Sequence, residues 1–250
     1  MKKSNKPKRE PLSRVWFLGR GFHPVPSTEY IDFKILYAHE SDLCFMNKYG
    51  HEVALKFNPA CSNPLKHHGH GEPQIRITSN IARKCHILRA LAFYGERPTY
   101  VSKKGEIKPY HCHHLNGNLE DHCKANLLAW LHPDEHRIAD ARQKAMRTVV
   151  PDGNLVGFDY AVLRELQDPR TMTDADFLNR MDYLRIMHDC DFDPRIFNLA
   201  RMHEFFALPL DEFTDLMYSQ KDDHPSVGPQ FTIVDPDIIM DLDFKFRREF

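Results

Sequence analysis

The feature that most limits what this chain can fold into is a change of character near residue 150. Residues 1–150 hold 24 Lys+Arg against 14 Asp+Glu, a balance of +10, and their apolar runs are broken by Gly, Pro and Asn every few residues. Residues 151–250 hold 10 against 21, a balance of −11, and repeat Leu, Phe and Met at helical spacing. A net charge of −1 over the whole chain therefore conceals two halves of opposite sign. Short runs between turn formers predict strands in the first, and helical periodicity predicts helices in the second. Thirteen of the sixteen histidines fall in the basic half, so polyanion binding and metal or proton chemistry are expected in one region.

A chain of 250 residues is long enough to bury a real core. No run approaches the roughly 18 unbroken apolar residues of a membrane span, which argues against a membrane protein. The first twenty residues are basic but lack a sustained apolar stretch, so neither a secretory signal nor an anchor is expected, and the expected location is cytoplasmic. Six cysteines (Cys44, Cys61, Cys85, Cys112, Cys123 and Cys190) lie far apart with no C-x-x-C pair, as reduced thiols do.

Four regions follow. Residues 1–14 read as a flexible basic arm. Residues 15–100 read as a basic, strand-rich region, with VWFLG, YIDFKILYAH, LCFMN and EVALKF as short strands. One amphipathic helix is set by Ile81, Cys85, Leu88, Leu91 and Ala92. Within this region SNPLKHHGHGEP, with His67, His68 and His70, reads as a solvated loop. Residues 101–150 carry the chemistry, and residues 151–250 read as an acidic helical region that either binds a protein partner or docks against the basic half. LARMHEFFALPLDEFTDLM has the rhythm of a helix-turn-helix, but Glu204, Asp211, Glu212 and Asp215 would repel DNA. FTIVDPDIIMDLDFKFRREF reads as a strand and a tail.

The informative segment is Tyr110 to Arg147, YHCHHLNGNLEDHCKANLLAWLHPDEHRIADARQKAMR. An extended YHCHH turns at Asn116-Gly117, crosses a polar loop and returns through NLLAWL. Pro133, Asp134 and Glu135 then open a helix, because proline fits the first turn and carboxylates complement the positive end of the helix dipole. The result is a ββα unit in which His113, His114 and His136 can converge. Isolated histidines in polar segments are usually solvated, the reading given to His111, His122 and His132. Cys112 and Cys123 with His111 or His122 match no standard zinc spacing. Trp130 and Leu128 read as core. Arg137, Arg142, Lys144 and Arg147 recur along the helix, a pattern that phosphate clamping and a solvated face predict equally.

This segment resembles the HNH endonucleases of the ββα-metal, or His-Me finger, superfamily. His113-His114, Asn126-Leu127 and His136 match the family pattern, and HHLNGN is similar to the H-I-D-G-N of its phage and homing members. Upstream, KCHILRALAFYGERP resembles the H-R-L-V-A-x-A-F-I-P stretch that precedes the motif in homing-type proteins. The resemblance spans roughly residues 75–148. It departs in the ten-residue interval from Asn126 to His136, which leaves His132 as a competing ligand, and in Asp121-His122 where an Asn often follows the loop.

The resemblance implies an α+β protein with a central HNH module, acting as a metal-dependent DNA endonuclease that leaves 5′ phosphate and 3′ hydroxyl ends. It implies His114 as general base, His113 and His136 as metal ligands, and Asn126 as a brace across the loop. Mg²⁺ or Mn²⁺ suits a phosphate-rich site, and imidazoles also admit Zn²⁺ or Ni²⁺. Lys108, Lys124, Arg137 and Arg142 are the expected contacts to DNA. Two other readings compete: a non-catalytic nucleic-acid-binding protein of the same shape, and a zinc-stabilised regulatory protein whose acidic helices bind a partner.

Overall fold

In a computed structural model of the chain, the residues described are 10–26, 36–57, 73–76, 82–192 and 199–223. Most of the basic arm, His67, His68 and His70, Ile81 and the segment 231–250 lie outside them. The architecture is mixed α and β with small antiparallel sheets, divided into two compact units: Met1–His114 with Asn118–His136, and Leu115–Gly117 with Arg137–Phe250.

The first unit opens with a helix where VWFLG was expected to be extended. Helix α1, Arg14–Leu18, starts because the Ser13 hydroxyl accepts from the Trp16 amide, and it buries Phe17 in a stack on Tyr37 with ring centres 3.7 Å apart. Five residues are too few for periodicity to separate helix from strand, so the cap decides. Strands β1 (Phe22–Pro24), β2 (Leu36–His39) and β3 (Phe45–Asn47) form an antiparallel sheet in that order. EVALKF contributes only the short β4 (Lys56–Phe57), which joins β5 (Pro73–Arg76) and β6 (Ala82–Lys84) in a second sheet.

Helix α2, Cys85–Tyr94, follows β6 directly and ends at Gly95, whose φ of 79° favours a residue without Cβ. Its Cys85, Leu88 and Leu91 pack with Leu36, Phe45, Ile75 and Trp130 into the core of this unit. Arg89 of the same helix is fully buried and donates to the Asp42 carbonyl (2.5 Å). Burial pushes its guanidinium down to about 10. The basic stretch after α2 is a hairpin of β7 (Thr99–Val101) and β8 (Ile107–Pro109). Then come β9 (His111–His114), its antiparallel partner β10 (Leu127–Leu131), and helix α3 (Pro133–Val149), the strand, strand and helix expected from the sequence.

The second unit is helical. Helices α4 (Tyr160–Gln167), α5 (Asp174–Asp189), α6 (Leu199–Phe206) and α7 (Leu210–Asp223) match the Leu- and Phe-rich segments. Asp159 caps α4, and Thr173 with Asp176 forms a reciprocal capping box at α5. Phe177, Met181, Tyr183, Leu184, Met202 and Phe213 are buried here. Glu165 joins α4 to Arg180 of α5 and to His203 of α6. None of the five cysteines among the described residues is in a disulfide. No helix among the described residues is long and apolar enough to cross a membrane.

Candidate metal centre

Adjacent residues of a strand point to opposite faces, and β9 uses that rule to divide its histidines. His113 and His111 meet the first turn of α3, with ring centres 5.4 Å and 5.1 Å from that of His136. The Nδ1 atoms of His111 and His136 are 3.4 Å apart. Cys112, on the alternate face, packs against the core of the unit, and His114 turns toward His122 and His86 instead.

Helix α3 places His136 through the chemistry of its start. Pro133 has no amide to leave unpaired there, and Asp134 and Glu135 sit at the positive end of the dipole. The His132 amide donates to Glu135 Oε2 (2.7 Å), and the Asp134 amide donates to His132 Nδ1 (3.3 Å). His132 thereby helps to close the helix entrance, with its ring edge-on to Tyr100 and Tyr110. Of the two histidines open as helix ligand, His136 is the one beside His113. Asp140 follows His136 by one turn of the same helix.

On the opposite face of β9, His114 Nε2 lies 2.9 Å from His122 Nδ1, and both residues are buried, 6% and 2% exposed. His86, second residue of α2, completes a trio whose ligand nitrogens all lie within 4.8 Å of one another. The loop that carries His122 is pinned. Asn126, fully buried at the end of a 3-10 turn, donates from its side chain to the Asp121 carbonyl (2.6 Å). The Lys124 amide donates to the Glu40 carbonyl (2.8 Å), and the Tyr94 hydroxyl donates to the carbonyls of Lys124 (3.0 Å) and Leu127 (2.6 Å). Asn126 thus hydrogen-bonds backbone across the loop, and His122 is buried, not solvated as expected.

The expected DNA contacts separate by environment. Lys108 is on the exposed hairpin and pairs with Glu106 (2.9 Å), whose hydrogen bond and charge raise its pKa. Lys124 is half-exposed in the 3-10 turn, and Arg137 is exposed on α3. Arg142 is not on a solvated face. It is 3% exposed and donates to the Asp168 and Met172 carbonyls (3.3 and 3.4 Å) and to Asp174 Oδ1 (2.8 Å), with its guanidinium over the Phe177 ring. Arg142 therefore ties helices α3 and α5 within the helical unit, and its expected contact with phosphate is corrected on that ground.

The sequence alone leaves His111 and His122 to solvent and does not single out His86 or Asp140. The period-two rule on β9 couples His111 to His113, and the i, i+4 rule on α3 couples Asp140 to His136, so those two signals were in the sequence. The meeting of His86 with His122 depends on how α2 packs against β9 and the loop, which no local pattern carries. No protein-family model, curated protein or solved structure matches the chain.

Proposed function

We propose that this chain is a metal-dependent DNA endonuclease of the HNH type, hydrolysing phosphodiester bonds by nicking or double-strand cleavage. The observation that carries the reading is the meeting of His113 and His136, 23 positions apart in sequence, across a paired-strand and helix unit, with His114 next in the chain. Two imidazoles admit Zn²⁺ or Ni²⁺, and a site left open to phosphate and water oxygens suits Mg²⁺ or Mn²⁺. A bound cation supplies charge neutralisation at the phosphate and at the departing oxygen.

The chain's own residues do the rest. His113 and His136 would hold the cation through neutral imidazoles and leave room for phosphate. His114 takes the proton from the attacking water, the task of a group whose ordinary pKa is near 6.5. Its Nε2 faces His122 Nδ1 at 2.9 Å, so an Nε2–H donated to His122 leaves the lone pair on His114 Nδ1, the atom that receives the proton. Asn126 holds the loop against which His114 is set. Lys108, Lys124 and Arg137 supply sequence-independent attraction to the phosphate backbone.

The test is conversion of supercoiled plasmid to nicked or linear forms by purified protein with Mg²⁺ or Mn²⁺, beside EDTA and His114→Ala. Metal-dependent conversion that the variant lacks supports the reading. Salt-sensitive DNA binding without conversion by the unaltered protein overturns it in favour of a non-catalytic binding module.

A further inference from the structure

The histidines of β9 gather into two clusters, one on each face. The cluster at His136 takes in His111 and His113. The cluster at His114 is built from imidazoles alone: His86 from α2, His114 from the end of β9 and His122 from the loop before β10. Its ring centres form a near-equilateral triangle, with separations of 5.0 Å for His114 and His122, 5.3 Å for His86 and His114, and 5.8 Å for His86 and His122.

A tetrahedral zinc-class ion lies about 2.0–2.1 Å from each imidazole nitrogen, which sets the nitrogens about 3.3 Å apart and the ring centres roughly 5 Å apart. The observed triangle has that size. The 2.9 Å between His114 Nε2 and His122 Nδ1 needs to widen by only a few tenths of an ångström. His114 and His122 are buried and His86 is half-buried, so the trio is held by packing on two sides. Three nitrogen donors with no carboxylate favour borderline cations, Zn²⁺, Co²⁺, Ni²⁺ or Cu²⁺, over Mg²⁺.

We propose that His86, His114 and His122 form a second metal site, distinct from that of His113 and His136, which binds one zinc-class divalent cation. The site itself does not depend on the endonuclease reading, but its consequence rests on that reading. A cation on His114 Nε2 takes the electron pair of that nitrogen, and the ring proton then resides on Nδ1. His114 stays neutral but has no lone pair left to accept a proton from water. Zinc at this site therefore switches off a nuclease that runs on Mg²⁺ at the other.

The test is titration of the metal-free full-length protein with Co²⁺, followed by its visible absorption, with Zn²⁺ as competitor and circular dichroism as a check on folding. The expected result is a tetrahedral Co²⁺ signal, displaced by Zn²⁺, of which one ion per chain belongs to the trio and remains when His136→Ala removes any Co²⁺ held at His113 and His136. His86→Ala and His122→Ala weaken this binding by more than the roughly 10–100-fold that loss of an outer-shell partner costs, while His136→Ala leaves it intact. His86 is only half-buried, so its variant keeps the test usable if His122→Ala does not fold. Absence of a tetrahedral spectrum in the unaltered protein, or a spectrum that survives His86→Ala and is lost in His136→Ala, overturns the proposal. In the plasmid assay, added Zn²⁺ depresses Mg²⁺-dependent nicking of the unaltered protein and depresses that of His86→Ala less. A protein that shows the cobalt spectrum but never nicks DNA refutes the endonuclease reading and leaves the site standing.

Discussion

His114 Nε2 lies 2.9 Å from Nδ1 of His122, a residue eight positions further along the chain, and the pair is shielded from solvent. One imidazole donates to the other, so the contact couples the two rings: donation from His114 leaves both protons on Nε2, and donation from His122 puts both on Nδ1. Proton acceptance by His114 Nδ1 requires the Nε2–H form. Long-range ¹H–¹⁵N correlation spectra of the histidine rings are expected to show that form for His114 in the metal-free protein. His122→Ala is expected to populate both tautomers, and His122→Asn, which retains a short polar side chain, to restore part of the preference. An Nδ1–H form for His114 in the unaltered protein contradicts this arrangement.

Asn126 is fully buried and its side chain donates to the Asp121 carbonyl at 2.6 Å. Asn126→Ala removes the donor and leaves that acceptor without it, a loss of about 1–3 kcal/mol. Urea unfolding is expected to show that loss, with nicking reduced because the His122 loop loosens. Asn126→Asp is expected to be at least as damaging, since a carboxylate has no donor to offer a carbonyl.

Arg142 and Arg137 lie on one helix and are expected to behave differently. Arg142→Ala removes charge-assisted hydrogen bonds inside the helical unit, each worth roughly 1.5–3 kcal/mol, and is expected to lower the unfolding midpoint. Arg137→Ala is expected to reduce the slope of log affinity against log salt by about 1 if its side chain contacts a phosphate. A reduced slope in a folded Arg142→Ala protein would show that the buried guanidinium reaches DNA after all.

Asp168 gives the helical unit an acid sensitivity. Burial works to raise its carboxyl, and the hydrogen bonds and charge of Arg170 outweigh burial and hold it below the ordinary carboxylate value. A folded pKa below the unfolded one contributes stability that is present above the unfolded value, about 3.9, and lost as pH falls through the folded value. Unfolding measured from pH 5 downward is expected to show that loss, and Asp168→Asn is expected to flatten it.

Much of the architecture was legible where local chemistry sets it. Pro133, Asp134 and Glu135 announced the start of α3, and the capping pair of Thr173 and Asp176 marks that of α5. Helix α1 was not legible because a single Ser13 cap outweighs the β-like composition of VWFLG. At the site, the adjacency of His113 and His114 does not reveal that strand alternation gives the two rings different neighbours, His136 and His122. Arg142 shared its spacing with solvated cations, and only the packing of α5 and the Asp168 turn shows it to be internal. His86 and His122 meet through packing between segments that are distant in sequence, information that neither segment holds alone.

The most direct measurement compares Mg²⁺-dependent nicking of supercoiled plasmid by the unaltered protein and by His136→Ala, followed by treatment of the nicked circles with DNA ligase. The account predicts nicks that ligase seals, because they carry 5′ phosphate and 3′ hydroxyl ends, and a loss of at least about 100-fold in the variant. Equal nicking by the two proteins, or none by the unaltered protein with either Mg²⁺ or Mn²⁺, would contradict it.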